Sequence, residues 1–350
     1  MPTPSPTSTA DLATDRRCAV LAISRGGCER GARLADRLHG DFFACKGRLA
    51  AVMHEVWHRY PAIVCIMATG IVIRTIAPLL RDKYHDPAVV VCDELGQFAI
   101  SLLSGHIGGA NDLAERVAGI TGGQAVITTA SDVLGYTPLD LWCRQWQLTP
   151  VSADALTRTM GRLVDQGHVT LWSRYPLPRL PEDLRQTSDR SRADLSIDSR
   201  LEPTGNGTLL FPRSLVFGIG CNRGTPAEAI AAAVTATCRQ HGLAPQAIAR
   251  LASIDLKQDE IGLCEYARRH DLPLDFYTKD QLNQVEGVSV SPAVQRATGA
   301  KGVAEPAALL SAGVDSTLLV PKIKWPAVTT AVAEIADPLI VSTHKEATAP

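Results

Sequence analysis

Four short apolar runs punctuate the first part of the chain: CAVLAIS (18–24), AIVCIMA (62–68), AVVVCD (88–93) and QAVIT (124–128). They lack the polar alternation of a strand with one wet face, so each reads as a strand covered on both sides. The stretches between them, RGGCERGARLADRLHG (25–40), IVIRTIAPLL (71–80) and DLAERVAGI (112–120), have helical character. Buried strands alternating with helices make an α/β domain around a mostly parallel sheet. In such folds ligands bind beyond the carboxyl ends of the strands. ATG (68–70) and SGHIGGAN (104–111) both follow strand-like runs and open helices.

SGHIGGAN is the densest of these segments. Its glycines free the backbone to bend and let a ligand reach the amides. The helix that follows begins with unpaired N–H groups that favour anions. A titratable His106 sits among them. Just upstream, Asp93 and Glu94 are adjacent, so on a strand they point to opposite faces.

A second α/β domain starts at LVFGIGCNRGT (215–225). Gly218, Gly220 and Gly224 nearly spell a dinucleotide loop, but the last spacing is one residue too long. The plainer reading is a tight turn that delivers Cys221, Asn222 and Arg223 to a strand end. Thr225 then caps a helix with Pro226 at its first position, and Gly242 ends it. SAGVDST (311–317) departs from a nucleotide-binding loop at Ala312 and lies late in its domain, so it reads as a turn before the strand STLLVPK. KWPAVTTAVAEI (324–335) is the expected last strand. Between the domains come two helices (138–147 and 152–165) and then a stretch rich in Pro, Arg, Asp and Ser, 175–211, with little to bury; it reads as a linker or a small, loosely ordered module. The expected organisation is a disordered leader over 1–15, a domain over 16–135, a middle region over 136–212, a second domain over 213–336 and a flexible tail over 337–350.

Composition removes several function classes. A formal net charge of −1 lacks the basic excess of a nucleic-acid binder. No apolar run approaches the length of a membrane span. Nine cysteines without a C-x-x-C pair or a secretory leader argue for reduced thiols in the cytoplasm and against a structural zinc.

Read together, ATGIVIRTIAPLLRDKYHDPAVVVCDELGQFAISLLSGHIGGANDLAERVAG through ITTASD, and then FGIGCNRGTPAEAI, LASIDLKQDEIGL, LPLDFYTKDQL, VEGVSVSPAVQRATGAKGVAEPAALL and LLVPKIKWPAVTTAVA, resemble the CbiG family. These are the cobalt-precorrin-5A hydrolases of anaerobic cobalamin synthesis. The C-terminal blocks alone also resemble the CobE proteins. The resemblance implies a cobalt-bearing tetrapyrrole substrate with a δ-lactone and many carboxylates. Water opens the lactone, the two-carbon unit at C20 leaves as acetaldehyde, and cobalt-precorrin-5B results. The cobalt is carried by the substrate, so no protein cofactor or protein-bound metal is implied. Neighbouring enzymes of that pathway are the expected macromolecular partners, and a cleft between the domains is the expected place for the macrocycle.

Set against that chemistry, His106 or Glu94 is the candidate base, serving both water attack and the retro-aldol step. Backbone N–H groups of Gly108, Gly109 and the following helix are the candidate oxyanion donors. Thr69, Gly70, Arg74, Ser104, Gly105, Asn111, Cys221, Asn222, Arg223, Lys257 and Lys322 are the candidate substrate contacts, the cations orienting acid arms together with Lys83 and Lys324. The competing reading is a carrier that binds the tetrapyrrole without turning it over.

Overall fold

The computed structural model describes residues 18–82, 84–202 and 207–339, so the leader and Lys83 lie outside the described residues. The chain divides into two compact units, one ending at Leu141 and the next starting at Trp142.

The first unit runs β1 (Cys18–Ala22), α1 (Arg25–Leu38), β2 (Asp41–Ala44), α2 (Leu49–Trp57), β3 (Ala62–Ile66), α3 (Thr69–Ile76), β4 (Ala88–Cys92), β5 (Phe98–Leu103), α4 (Ala110–Thr121), β6 (Gln124–Val126) and α5 (Ala130–Leu134). Helix α6 (Leu139–Gln145) spans the division. The sheet order is β2-β1-β3-β4-β5-β6. The apolar runs are continuous because both sheet faces are covered. Val20, Val64 and Val90 pack under α1 and α4 with Leu34, Leu38, Leu113 and Val117. Leu21, Cys65 and Val91, one residue on, pack under α2 and α3 with Met53, Val56, Val72 and Ile76. Each such side chain contributes about 1.5–3 kcal/mol on full burial.

One reversal in this sheet decides where the candidate residues lie. β1 to β4 are parallel, but β5 pairs antiparallel with β4, and β6 runs with β5. The cause is a tight turn at 93–97. The Asp93 carboxylate accepts the N–H groups of Leu95 (3.0 Å) and Phe98 (2.6 Å), and Gly96 adopts φ 74°. The chain therefore folds straight back as a hairpin.

The second unit holds two sheets. The first comprises β7 (Thr149–Pro150), β8 (Val169–Ser173), β9 (Leu184–Gln186), β10 (Leu195–Ile197) and β11 (Thr208–Phe211), in the order β7-β11-β10-β8-β9, with α7 (Ala153–Gln166) against it. The stretch at 175–211, expected as a linker or a small, loosely ordered module, thus contributes three short strands, β9, β10 and β11, to a sheet. Leu184, Ala193, Leu195, Ile197, Leu210 and Phe211 are buried in it. Its buried charge is paired: Asp198 meets Arg174 at 2.6 Å and Arg190 at 2.9 Å, and Arg190 also lies over the Trp172 ring. That pairing is what makes burial of a charge-rich segment tolerable.

The last sheet has the order β14-β13-β12-β16-β15, built from β12 (Leu215–Cys221), β13 (Ile248–Ile254), β14 (Leu274–Tyr277), β15 (Thr317–Lys324) and β16 (Val328–Glu334). Its helices are α8 (Ala227–His241), α9 (Ile261–Arg269), α10 (Lys279–Gln284), α11 (Pro292–Thr298) and α12 (Ala304–Ala312). α8 ends on Gly242 at φ 62°, as expected, but begins one residue later than expected. Thr225 does not cap it; the Thr225 hydroxyl donates to the Asn222 carbonyl. Gly218 is a packing residue: a Cβ there would meet the Ala304 carbonyl of α12 at 1.8 Å. Leu339 is buried, so the tail is held at least that far; residues 340–350 lie outside the described residues.

The two sheets of this unit share one carboxylate. Glu334 accepts from Tyr175 (2.7 Å) and Ser199 (2.6 Å), and the Tyr175 hydroxyl also meets Ser214 (3.1 Å). Among the described residues no helix is long and apolar enough to cross a membrane.

Candidate functional site

The antiparallel β5 separates the two candidate bases. Glu94 follows β4 at one edge of the six-stranded sheet; His106 follows β5, whose last residue, Leu103, pairs with Val89 near the start of β4. Strand rise puts those edges on the order of 15 Å apart. Both residues lie at carboxyl ends of strands, but of strands that run in opposite directions, so the two alternative bases stand at opposite edges.

At the Glu94 edge the carboxylate is occupied. It accepts the Ser24 hydroxyl at 2.6 and 2.7 Å and the Gly27 N–H at 3.1 Å, while its own carbonyl accepts from Arg30. Ser24 is the N-cap of α1 and itself accepts the Gly27 N–H at 3.0 Å. Glu94 thus fastens the start of α1, a favourable place for a negative charge. Thr69 and Gly70 open α3 at this same edge, and Arg74 lies exposed in its last turn. A cavity of about 380 Å³ here is lined by Met67, Thr69, Phe98 and Ile100 along with Asp93 and Glu94, so the charge it presents is acidic.

At the other edge His106 is clamped. Its Nε2 lies 2.7 Å from Asp132 and its Nδ1 3.5 Å from Asp140, and the side chain is only 11% exposed. The Ser131 hydroxyl stands 3.3 Å from Nε2. Asn111 orients Asp132, donating to it at 2.9 Å and to the Thr129 hydroxyl at 3.2 Å, and it accepts the Ser101 hydroxyl at 2.6 Å. The hydrogen bond and charge of Asp140 raise the His106 pKa above its ordinary value; burial opposes this, and Asp132 adds to the rise. The imidazole is therefore biased toward its protonated form.

The loop glycines serve the loop itself. A Cβ at Gly105 would come within 2.8 Å of the Asn111 side chain, and one at Gly108 within 2.4 Å of the Ser104 Cβ. Ser104 takes φ 58° and donates to the Asp86 carbonyl. The N–H groups of Gly109, Ala110 and Asn111 donate to the carbonyls of His106, Ser104 and Gly105. Those three are thus spent within the loop, and of the glycine amides expected as oxyanion donors Gly109 is one of them.

In the second unit the structure does gather the expected residues. A cavity of about 370 Å³ is lined by Cys221 and Asn222 at the end of β12, Lys257 after β13, Lys322 and Lys324 on β15, and Trp325 in the turn to β16. α11 closes it with Ser291, Val294 and Thr298. Arg223 is not among the lining residues; it is exposed and pairs with Asp259. Burial pushes the Cys221 thiol up despite nearby Lys257, so it is not an activated nucleophile.

Two carboxylates stand behind the lysines, and sequence reasoning missed both. Glu260, 2% exposed, accepts Lys257 at 2.9 Å and the Gly224 N–H at 2.7 Å. Burial alone would raise its pKa, but these bonds and the charges of Lys257 and Arg223 outweigh it and hold the pKa low. Glu305 accepts the backbone N–H groups of Ser289 and Lys322 and the Ser289 hydroxyl. Asp132 and Asp140 were also missed. Their signal is weak: single acids in or beside short helices, with nothing local to tie them to His106.

Comparison with known proteins identifies relatives over most of the chain. The family model described as cobalamin synthesis G N-terminal matches residues 51–132, and that described as cobalamin synthesis G C-terminus matches 215–333. The chain is 36% identical over 297 residues to a cobalt-precorrin-5A hydrolase of Priestia megaterium, covering 79% of each protein. It is 33% identical over 323 residues to the cobalt-precorrin-5A hydrolase of Salmonella typhimurium strain LT2, covering 84% of this chain and 92% of that one. A shorter match, 36% over 111 residues, is to the protein CobE of a Sinorhizobium species, covering 31% of this chain and 72% of that one.

Proposed function

This chain belongs to the CbiG family, and on that premise we propose that it is a cobalt-precorrin-5A hydrolase. It opens the δ-lactone of its cobalt-bearing tetrapyrrole with water and releases the two-carbon unit as acetaldehyde. The observation that carries the assignment of chemistry to residues is His106 held between Asp132 and Asp140, within 2.7 and 3.5 Å of its two ring nitrogens.

The clamp suits both steps. Water adds to the lactone carbonyl and the ring oxygen leaves as an alkoxide. A protonated imidazole supplies the proton that the leaving oxygen needs, and the proton shed by the water passes to solvent as the new acid ionises. The neutral imidazole left behind then takes the proton of the freed hydroxyl as acetaldehyde departs, and the ring system of the substrate accepts the electron pair. Asp132 and Asp140 stabilise the charged form on each return, and Asn111 keeps Asp132 in place. Glu94 drops out of the mechanism, since its oxygens already fasten α1. The cobalt is part of the substrate, and no residue is assigned to hold a metal or cofactor. All nine cysteines are free thiols, which supports a reducing, cytoplasmic setting.

The test is turnover of enzymatically prepared cobalt-precorrin-5A under anaerobic conditions, following acetaldehyde. Release by the wild type and its loss in His106→Ala, with binding kept, is the expected result. Binding without any acetaldehyde from the wild type overturns the hydrolase in favour of a carrier.

A further inference from the structure

We infer that the cavity at the ends of β12 and β13 is an anion subsite that grips the carboxylate arms of a tetrapyrrole along one edge of its ring. For the identity of the ligand this rests on the hydrolase reading; the site itself rests on the following geometry. Lys257, Lys322 and Lys324 line the cavity, and no aspartate or glutamate does. The two nearby carboxylates, Glu260 and Glu305, are buried and turned inward, their oxygens filled by Gly224, Lys257, Ser289 and the Lys322 backbone. Glu260 braces Lys257 and is not among the lining residues, so an incoming anion meets amino groups and the hydroxyls of Ser291 and Thr329, while the Thr298 hydroxyl is spent on the Val294 carbonyl.

Asn222 aside, the rest of the lining is mainly apolar: Ile254, Val294, Val303 and Val328, with the Trp325 indole pinned by its donation to Thr330 at 3.0 Å. Leu256 and Val290, next in sequence to the lining residues Lys257 and Ser291, are exposed. A ligand matched to this surface carries acid groups on a flat apolar body. About 370 Å³ is too small for a whole decorated macrocycle, which would fill the upper part of the usual range of ligand sites or exceed it. It fits one edge with its arms. Every residue named belongs to the second unit, apart from the one that bears His106.

Trp325 supplies the readout. The full chain would be titrated with uroporphyrin, whose rings bear free acid side chains, following tryptophan quenching with Trp325→Phe as the control for its origin. A porphyrin ester of the same ring, with its acids blocked, serves as the uncharged probe. Saturable quenching by uroporphyrin that Trp325→Phe abolishes, that salt weakens and that the ester does not reproduce is expected. Lys322→Met with Lys324→Met should weaken it by about tenfold or more, as loss of charge-assisted contacts does. Lys322→Arg with Lys324→Arg should restore it, and circular dichroism would show that each variant is folded. In the acetaldehyde assay the Met pair should raise KM more than it lowers kcat.

Quenching and KM both indifferent to the Met pair overturn the subsite while leaving the hydrolase standing. Lysine-dependent quenching in a protein that releases no acetaldehyde does the reverse: the subsite stands and the hydrolase falls.

Discussion

The two edges of the six-stranded sheet look alike in sequence and differ in what their polar groups have left to give. Each has a strand running through a serine- and Gly-containing turn into a helix, with a titratable side chain at the turn: His106 from within it, Glu94 from the hairpin after β4. At one, Ser24 and the Gly27 amide fill the oxygens of Glu94, and the carboxylate becomes part of the start of α1. At the other, two carboxylates converge on His106, brace it and bias it toward its charged form, with 11% of the side chain still exposed. A group whose partners complete it serves the fold. A group whose partners bias its proton is prepared for chemistry.

The largest effect that separates the edges is on turnover. His106→Ala should lower kcat by about 10²–10⁴, the usual weight of acid–base catalysis, while Glu94→Gln stays within a few-fold. Equal losses in both would break the comparison. Next is Gly108→Ala. Its new Cβ meets Ser104 at 2.4 Å, so the His106 loop must shift, and kcat should fall by about tenfold or more, since an ångström of misplacement is costly. The third concerns the clamp. Asp140→Asn should lower the His106 pKa, read by NMR titration, and draw the alkaline limb of the kcat profile to lower pH. The sign follows from linkage: a histidine whose folded pKa is raised contributes stability that is complete below its ordinary value of 6.5 and lost as pH rises through the raised value. Stability of the wild type should therefore fall relative to Asp140→Asn across that window in pH-dependent urea melts. The smallest effect is the mirror of the first: Glu94→Gln should cost about 1 kcal/mol of capping, roughly 2–4 °C in melting temperature, where His106→Ala leaves the α1 cap intact.

The buried strands were legible because a run apolar on both faces has few other ways to sit, and β1, β3 and β4 appear where CAVLAIS, AIVCIMA and AVVVCD stand. Strand direction was not. DELGQ carries a turn's residues, yet only the bonds from Asp93 to the Leu95 and Phe98 amides show that the chain doubles back there. The rule that sites gather at carboxyl ends then pointed to two opposite edges at once. In the second unit the same rule collected Cys221, Asn222, Lys257 and Lys322 round one cavity, since β12 and β13 are parallel. The sheet at 149–211 was hidden by brevity and charge. β9 and β10 are three residues each, and the arginines that suggested a linker instead neutralise buried Asp198.

Glu334 gives the two sheets of the second unit a mutual dependence. Tyr175 and Ser199 come from the sheet whose sequence is least like a folded one, and Glu334 from the last strand of the other. A chain cut between them leaves a carboxylate stripped of two donors on one side of the cut and two orphaned hydroxyls on the other. Drift in the charge-rich region is therefore not free. Any change that unseats Tyr175 or Ser199 is felt in β16, the neighbour of the strand that carries Lys322 and Lys324. A stretch with variable-looking composition is thus tied to the fold at a few fixed points, and a comparison of many such sequences should find those points held while the residues around them wander.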